Sequence, residues 1–259
     1  MKKQKKLIVG NWKMNPTDVD EARDIVKAVK RASSKLKKSQ VVVCPPHIYI
    51  PLFSLSKSTA RGGNFALGAQ NANAETLGSY TGEVSYSQLY QFGVRCVILG
   101  HSERRKMGET DEMINKKVKS VVNGGMTAIV CVGETKRDHN GDYLDVIKDQ
   151  VLKCLNDVSK KLLENVVIAY EPVWAIGATE AMNPRELQEI SIFIKKTLKD
   201  FFGIMAEDTR VIYGGSVDRV NADSLVRDGD VSGLLIGRES LNAKGFIEIM
   251  KLVDAINFR

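Results

Sequence analysis

Short apolar runs recur at intervals along the chain, and they are apolar at consecutive positions rather than alternating between apolar and polar ones, with Arg95 the single charged residue among them. Strands of a parallel sheet that is covered by helices on both faces have this pattern, because neither face meets water. We therefore predict buried parallel strands at Leu7–Val9, Val41–Cys44, Phe65–Leu67, Val94–Leu99, Ala128–Val132, Val166–Tyr170, Val211–Tyr213 and Leu234–Ile236.

Helical patterns lie between these runs, with apolar residues that are three and four positions apart. Two such series are Leu144, Ile147, Val151, Leu155 and Val158, and Leu187, Ile190, Ile194, Leu198 and Phe201. The second series has a clear start signal, with Asn183 as N-cap, Pro184 at the first helical position and Glu186 three residues after the cap. We therefore predict a helix that begins at Pro184.

Strands that alternate with helices in this way predict an α/β fold, a (β/α)₈ barrel with eight parallel strands inside an outer ring of helices. An open doubly wound sheet is the rival architecture, but no glycine-rich nucleotide fingerprint follows the first strand. The segment Arg61-Gly62-Gly63 reads better as a turn before a strand than as a domain boundary. We expect one barrel domain over residues 1–259.

Length and charge agree with this fold and exclude some functions. The chain has 259 residues, and barrels of about 250 residues are standard single domains. Its net charge of +7 is explained by lysine-rich helix surfaces, and the same charge would favour a small anionic substrate. Nucleic-acid binding is disfavoured, because no basic stripe carries interleaved aromatic residues. No apolar run approaches the roughly 18 residues of a membrane span.

The first residues and the cysteines indicate a cytoplasmic protein. The basic start is followed only by Leu7–Val9, which is too short for the apolar core of a secretory signal. The four cysteines are far apart and form no C-x-x-C pair; they are Cys44, Cys96, Cys131 and Cys154. We expect reduced, mostly buried thiols without disulfides or zinc.

Polar residues at the ends of the predicted strands mark the candidate site, because the chemistry of a barrel lies where its strands end. They are Asn11 and Lys13, Gln70 and Asn71, His101, Ser102 and Glu103, Glu134, Glu171, Gly214-Gly215-Ser216, and Gly237-Arg238.

Glu171 is the most informative of these residues. It ends an apolar strand and is followed at once by Pro172 and an apolar loop that ends at Gly177. A loop that closes over this carboxylate would remove water and raise its basicity. The pattern therefore predicts a general base under a lid.

Three other polar residues have both a catalytic and a structural interpretation. Asn11 and Lys13 would share a face of an extended strand end and could stabilise an oxyanion, although Lys13 could also be a surface lysine. Trp12 between them argues against a loose surface loop.

His101 could be a structural histidine, but free amides of a helical turn starting at Ser102 would favour a neutral ring that donates a hydrogen bond to a carbonyl. The segment Glu103-Arg104-Arg105 is better explained by ion pairs.

The glycines at the last two strand ends suggest a phosphate site, since they let backbone amides approach a ligand closely. Plain tight turns are the alternative. The sequence contains no metal-binding spacing of histidines or cysteines and no Gly-x-Ser-x-Gly elbow for acyl transfer.

Six segments together resemble the triosephosphate isomerase family and occur in that family's order from about Leu7 to Ala255. They are Val9–Asn15, Gly68–Asn71, Gly100–Arg105, Cys131–Glu134, Ala169–Gly177 and Tyr213–Ser216. The resemblance implies interconversion of dihydroxyacetone phosphate and glyceraldehyde 3-phosphate in glycolysis and gluconeogenesis, without a cofactor or a metal.

The resemblance also assigns roles, which we state as its implications. Glu171 is the base, and His101 is the neutral electrophile, which is the known pattern of pKa tuning in that family. Lys13 and Asn11 stabilise substrate charge and the enediolate, and Glu103 is a carboxylate that supports the site. Substrate contacts are Asn11, Trp12 and Lys13, with the amides of Gly177, Ser216, Gly237 and Arg238 at the phosphate.

A homodimer is implied as well, with contacts at Met14, Thr81 and Gly82. Two departures from the family pattern occur. The segment Ala178–Met182 differs at the C-terminal hinge of the lid. Arg238 stands where the family has a glycine, and an arginine, unlike a glycine, does not readily adopt a positive φ. The rival functions are another phosphate-binding barrel, such as a sugar-phosphate epimerase, and a non-catalytic scaffold.

Overall fold

The computed structural model describes residues 4–54, 63–138, 140–175, 182–206 and 208–257. Within these residues, parallel strands form a closed barrel in chain order, with the last strand paired to the first. The strands are β1 Lys6–Asn11, β2 Ser39–Cys44, β3 Phe65–Ala69, β4 Val94–Leu99, β5 Thr127–Val132, β6 Val166–Tyr170, β7 Arg210–Tyr213 and β8 Gly233–Ile236. Every predicted run lies inside one of these strands, and the predicted (β/α)₈ fold is confirmed.

Helices surround the barrel. The α-helices are α1 Val19–Ser33, α2 Ile50–Phe53, α3 Tyr86–Gln91, α4 Ser102–Lys106, α5 Asp111–Asn123, α6 Asp142–Cys154, α7 Pro184–Phe202, α8 Ala222–Asp228 and α9 Ala243–Ala255. Short 3-10 helices lie at His47–Tyr49, Lys160–Asn165, Val173–Ala175, Gly203–Ala206 and Arg238–Leu241. In the described part of the chain, no helix combines the length and apolarity that crossing a membrane requires.

Two apolar clusters explain why the central residues of the strands are almost all apolar. Alternate strand residues such as Val9 fill the barrel interior, and their neighbours such as Ile8 pack outward against the helices. Both side chains are completely buried. Because each strand is covered on both sides, apolar residues are favoured at both sets of positions.

The predicted helix starts and ends are mostly correct. Helix α7 begins at Pro184, and the side chain of Asn183 caps it by accepting the N–H of Arg185 at 2.9 Å. Glu186 does not complete a capping box and instead forms an ion pair with Arg137. Helix α6 ends at Cys154, although its apolar series continues to Val158. The last two residues of the series, Leu155 and Val158, lie in the segment after the helix and are buried there.

All four cysteines are free and buried, as predicted; they are Cys44, Cys96, Cys131 and Cys154. Burial raises the pKa of the Cys96 thiol to about 11 and that of Cys154 to about 12. These thiols are therefore protonated at neutral pH and behave as small apolar side chains.

Candidate active site

A cavity of about 480 Å³ opens where the strands end. Its lining includes most of the predicted site residues: Asn11, Trp12, Lys13, His101, Glu171, Gly214, Gly215, Ser216, Gly237 and Arg238. A second cavity of about 320 Å³ shares Asn11, Lys13 and His101 with it, and adds Met14, Gly82 and Glu103. Gly177 and the altered hinge residues Ala178–Ala181 lie outside the described residues, whereas Met182 is described.

Glu171 follows the last residue of β6 and points into this cavity. Only 3% of its surface is exposed. Its Oε2 accepts the backbone N–H of Ser102 at 3.3 Å, and its Oε1 lies 3.3 Å from Nε2 of His101. Burial raises the pKa of the Glu171 carboxyl, and the nearby His101 and the Ser102 amide offset only part of this effect. Glu171 is therefore a stronger base than an ordinary glutamate.

His101 is held by the first turn of α4, which begins at Ser102 as predicted. Its Nδ1 accepts the backbone N–H of Glu103 at 3.2 Å. A ring nitrogen that accepts a hydrogen bond carries no proton, so the proton of a neutral ring must be on Nε2. Nε2 is the nitrogen that faces Glu171. The geometry thus presents an N–H donor and a carboxylate base side by side.

Lys13 corrects one of the predictions. The chain after β1 was expected to stay extended, but Lys13 has a left-handed backbone with a φ of 53°. Its N–H donates to Oδ1 of Asn11 at 3.0 Å, and Nε2 of Gln70 donates to its carbonyl oxygen at 2.8 Å. These two side-chain bonds stabilise the turn, and both Asn11 and Lys13 still line the same cavity.

The ammonium of Lys13 forms an ion pair with Glu103, with 2.6 Å between Nζ and Oε1. Burial alone would raise the pKa of Glu103, but the hydrogen bond and charge of Lys13 lower it. Glu103 therefore stays ionised and holds the ammonium beside the cavity. The neighbouring arginines face other acids, Arg104 pairing with Glu109 and Arg105 with Asp111, so the predicted ion-pair network is confirmed.

The glycine turns after β7 and β8 form the other end of the cavity. Ser216 donates its hydroxyl to the carbonyl of Ala175 at 3.0 Å, which ties this turn to the segment after Glu171. Gly237 leads into the 3-10 helix that begins at Arg238. Arg238 does not have a positive φ, so the arginine fits this position without backbone strain.

Arg137 was missed by sequence reasoning, although Glu134 was a candidate. The Glu134 carboxylate is almost fully buried and accepts from Tyr170 Oη at 3.0 Å, Trp174 Nε1 at 2.8 Å and Arg137 Nε at 3.1 Å. The Arg137 guanidinium also lies 5.2 Å from the Trp174 ring centroid. The only signal in the sequence was a strand-end acid with a cation three residues later. This cluster positions the residues on both sides of Glu171.

Gly214 leaves room for the base, which gives a first prediction. A Cβ at this position would lie 2.7 Å from Cγ of Glu171, closer than side chains tolerate. We expect Gly214→Ala to displace the carboxylate and to lower kcat on the order of 10²-fold, since a shift of about 1 Å has such an effect. Steady-state kinetics measure this. Gly63→Ala is the control, because its Cβ would meet nothing closer than 3.9 Å. Equal turnover of both variants would contradict the prediction.

Comparison with known proteins agrees with this geometry. A family model described as triosephosphate isomerase matches residues 6–253. The triosephosphate isomerase of Endomicrobium trichonymphae is 42% identical over 250 residues, which cover 96% of this chain and 98% of that protein. The triosephosphate isomerase of Carboxydothermus hydrogenoformans is 43% identical over 254 residues, with the same coverage of both chains. That of Alkaliphilus oremlandii is 40% identical over 250 residues, covering 95% of this chain and 99% of that protein. The chain therefore belongs to the triosephosphate isomerase family.

Proposed function

We propose that this protein interconverts dihydroxyacetone phosphate and D-glyceraldehyde 3-phosphate, a step of glycolysis and gluconeogenesis. One observation carries the proposal: the buried carboxylate of Glu171 lies 3.3 Å from Nε2 of His101, in a cavity that Lys13 also lines. A base and a proton donor in contact are what an aldose–ketose isomerisation needs, because protons must move at adjacent carbon and oxygen atoms.

Glu171 moves the carbon-bound proton. Its carboxylate removes a proton from C1 of dihydroxyacetone phosphate and returns it to C2, so that the base is regenerated. His101 donates its Nε2 proton to the carbonyl oxygen and recovers a proton from the other hydroxyl. A glutamate base beside a neutral histidine is the established pattern of this family. Burial of both side chains supports these roles, since it strengthens the interactions that stabilise the enediolate intermediate.

Lys13 and Asn11 stabilise negative charge on the substrate and the enediolate. The ammonium is the only cation that both cavities share among their described lining residues, and Glu103 positions it. Trp12 lies between Asn11 and Lys13 in the chain, and its fully buried side chain anchors this turn to the core. The amides of Ser216, Gly237 and Arg238 hold the phosphate, together with Gly177 outside the described residues.

The active protein is a homodimer in this proposal. Met14 is 89% exposed and Leu77 is 85% exposed, and such large apolar side chains are expected to be covered by a partner. Met14 and Gly82 line a cavity together with Asn11 and Lys13. A partner subunit that inserts its own loop at Thr81 into this cavity would support the catalytic residues. Deleting residues 74–79 should give monomers with a much lower kcat. Fully active monomers on a sizing column would contradict the dimer contact.

A coupled assay tests the activity itself. Purified protein is given D-glyceraldehyde 3-phosphate, and the dihydroxyacetone phosphate formed is reduced by glycerol-3-phosphate dehydrogenase with loss of NADH absorbance. The epimerase alternative needs a separate assay, in which the protein is given ribulose 5-phosphate and the xylulose 5-phosphate formed is measured directly. No NADH loss above that of a Glu171→Gln variant would refute the proposal, and would leave the scaffold alternative standing.

The raised pKa of Glu171 predicts a pH dependence. Only the ionised carboxylate is a base, so kcat/KM should fall as the pH drops through the pKa of this group in the free enzyme. Because burial raises that pKa from 4.5, the acid limb should lie above the range of an exposed glutamate. The substrate phosphate also titrates, so unphosphorylated glyceraldehyde is the control substrate. An acid limb at or below the ordinary glutamate pKa with glyceraldehyde would rule out this assignment.

A further inference from the structure

A groove of about 520 Å³ lies between α1 and α9 on the outside of the barrel. Its lining combines small or apolar side chains with charged ones: Ala28, Ala32, Leu36, Ile247 and Ala255, and Arg31, Lys35, Lys251 and Asp254. Leu36 is buried, whereas the three basic residues are exposed, so the groove has an apolar floor and a charged rim. Its volume falls in the range of about 300–1,000 Å³ that is usual for small-molecule sites.

The groove is separate from the active site. Residues Arg31–Leu36 form the end of α1 and the turn after it, and the chain then enters β2 at its first residue, Ser39. This end of α1 therefore lies near the N-terminal ends of the strands, whereas Glu171 lies at their C-terminal ends. A ligand in the groove would not compete with the substrate.

The rim has an excess of positive charge. Within the described residues, the side chains of Arg31, Lys35 and Lys251 form no ion pair or hydrogen bond with another residue. Asp254 also lines the groove and offsets one of these three charges, but its carboxylate accepts the backbone N–H groups of Lys37 at 3.0 Å and Lys38 at 2.7 Å and pairs with none of the three basic side chains. The basic side chains are therefore available to a negatively charged group outside the chain.

We propose that this groove binds a single-chain anionic amphiphile, a medium-chain carboxylate whose alkyl chain lies on the apolar floor and whose head group meets the basic rim. On α1 the floor follows Ala28 and Ala32, about 6 Å at 1.5 Å per residue, and beyond the helix end at Ser33 it continues to Leu36, so a chain of several methylene groups can lie along it. A protein partner fits less well, because a stable interface buries about 800 Å² per partner, far more than two helical turns provide.

Calorimetric titration with sodium decanoate tests the proposal. We expect saturable binding of one decanoate per chain, and little binding of decanol or decyltrimethylammonium, which have the same chain without the anionic head. Arg31→Gln combined with Lys251→Gln should weaken decanoate binding about fivefold, because each exposed charge contact contributes a few-fold. The matched control is Lys27→Gln with Lys30→Gln, which removes two charges from α1 outside the groove.

The apolar floor has its own test. Ala28→Met adds an apolar side chain to the floor and should weaken decanoate binding without changing isomerase turnover. Equal affinity for all three probes, or unchanged affinity in the Arg31 and Lys251 double variant, would overturn the proposal. Binding to anionic phospholipid vesicles without binding of monomeric decanoate would overturn it too. So would binding that appears only after residues 258–259 are removed, because the chain's own end would then be the occupant.

Discussion

Replacing Lys13 with methionine is expected to lower kcat/KM by at least about 10³-fold while the barrel stays folded. Removing a single neutral donor that stabilises a developing oxyanion costs roughly 10²–10³-fold in rate, and an ammonium beside a phosphorylated substrate contributes more than that. Methionine keeps most of the length of the side chain and removes only its charge. Steady-state kinetics in both reaction directions measure the effect.

The fold should tolerate this change, because the abandoned partner is not deeply buried. Glu103 keeps half of its side-chain surface exposed, so its carboxylate can be hydrated after the ion pair is lost. Lys106→Met is the matched control, since this exposed lysine lies on α4 but lines neither cavity. Turnover of Lys13→Met near that of the control would make Lys13 an ordinary surface lysine.

Shortening the base gives the second large effect. Glu171→Asp retracts the carboxylate by about one carbon–carbon bond, and a misplacement of about 1 Å can cost on the order of 10²-fold in kcat. The substrate KM should change little, because the phosphate contacts lie on other strands. Single-turnover measurements of proton exchange at C1 and C2 would assign the loss to the proton-transfer step.

The control for this variant lies at the other end of the same strand. Glu164→Asp makes the same chemical change at an exposed residue just before β6 and should leave kcat unchanged. Activity of Glu171→Asp within about threefold of the unmodified protein would remove Glu171 from the base role. Membership of the family would then not be enough to identify the base of this site.

The strands could be predicted because burial on both faces leaves a simple sequence pattern. Val166–Tyr170 has the same bounds in the sequence pattern and in β6. Other boundaries are less visible, because polar residues such as Lys6 and Ser39 extend strands that hydrogen bonding continues beyond the apolar run. The helix ends depend on capping, and capping side chains can bond in more than one way.

That the strand-end residues would meet in one cavity could be predicted, but their contacts with one another could not. Strand ends converge in a barrel, which is enough to bring Lys13 and Glu171 to one cavity. The pairing of Lys13 with Glu103 joins residues that are 90 positions apart. The role of Arg137 beside Trp174 likewise depends on the folded loops. No local pattern encodes such contacts.

The left-handed backbone of Lys13 implies that this residue lowers the stability of the fold at a position where its side chain is needed for activity. A residue with a Cβ loses roughly 1–2 kcal/mol in this conformation, whereas glycine adopts it freely. In the proposed mechanism Lys13 supplies its ammonium to the substrate, so a residue that serves catalysis would occupy a backbone conformation that disfavours it. We expect Lys13→Gly to melt roughly 2–4 °C above Lys13→Ala, although both variants are inactive. Equal melting temperatures would mean that the turn carries no strain, and that selection for catalysis here sacrifices no stability.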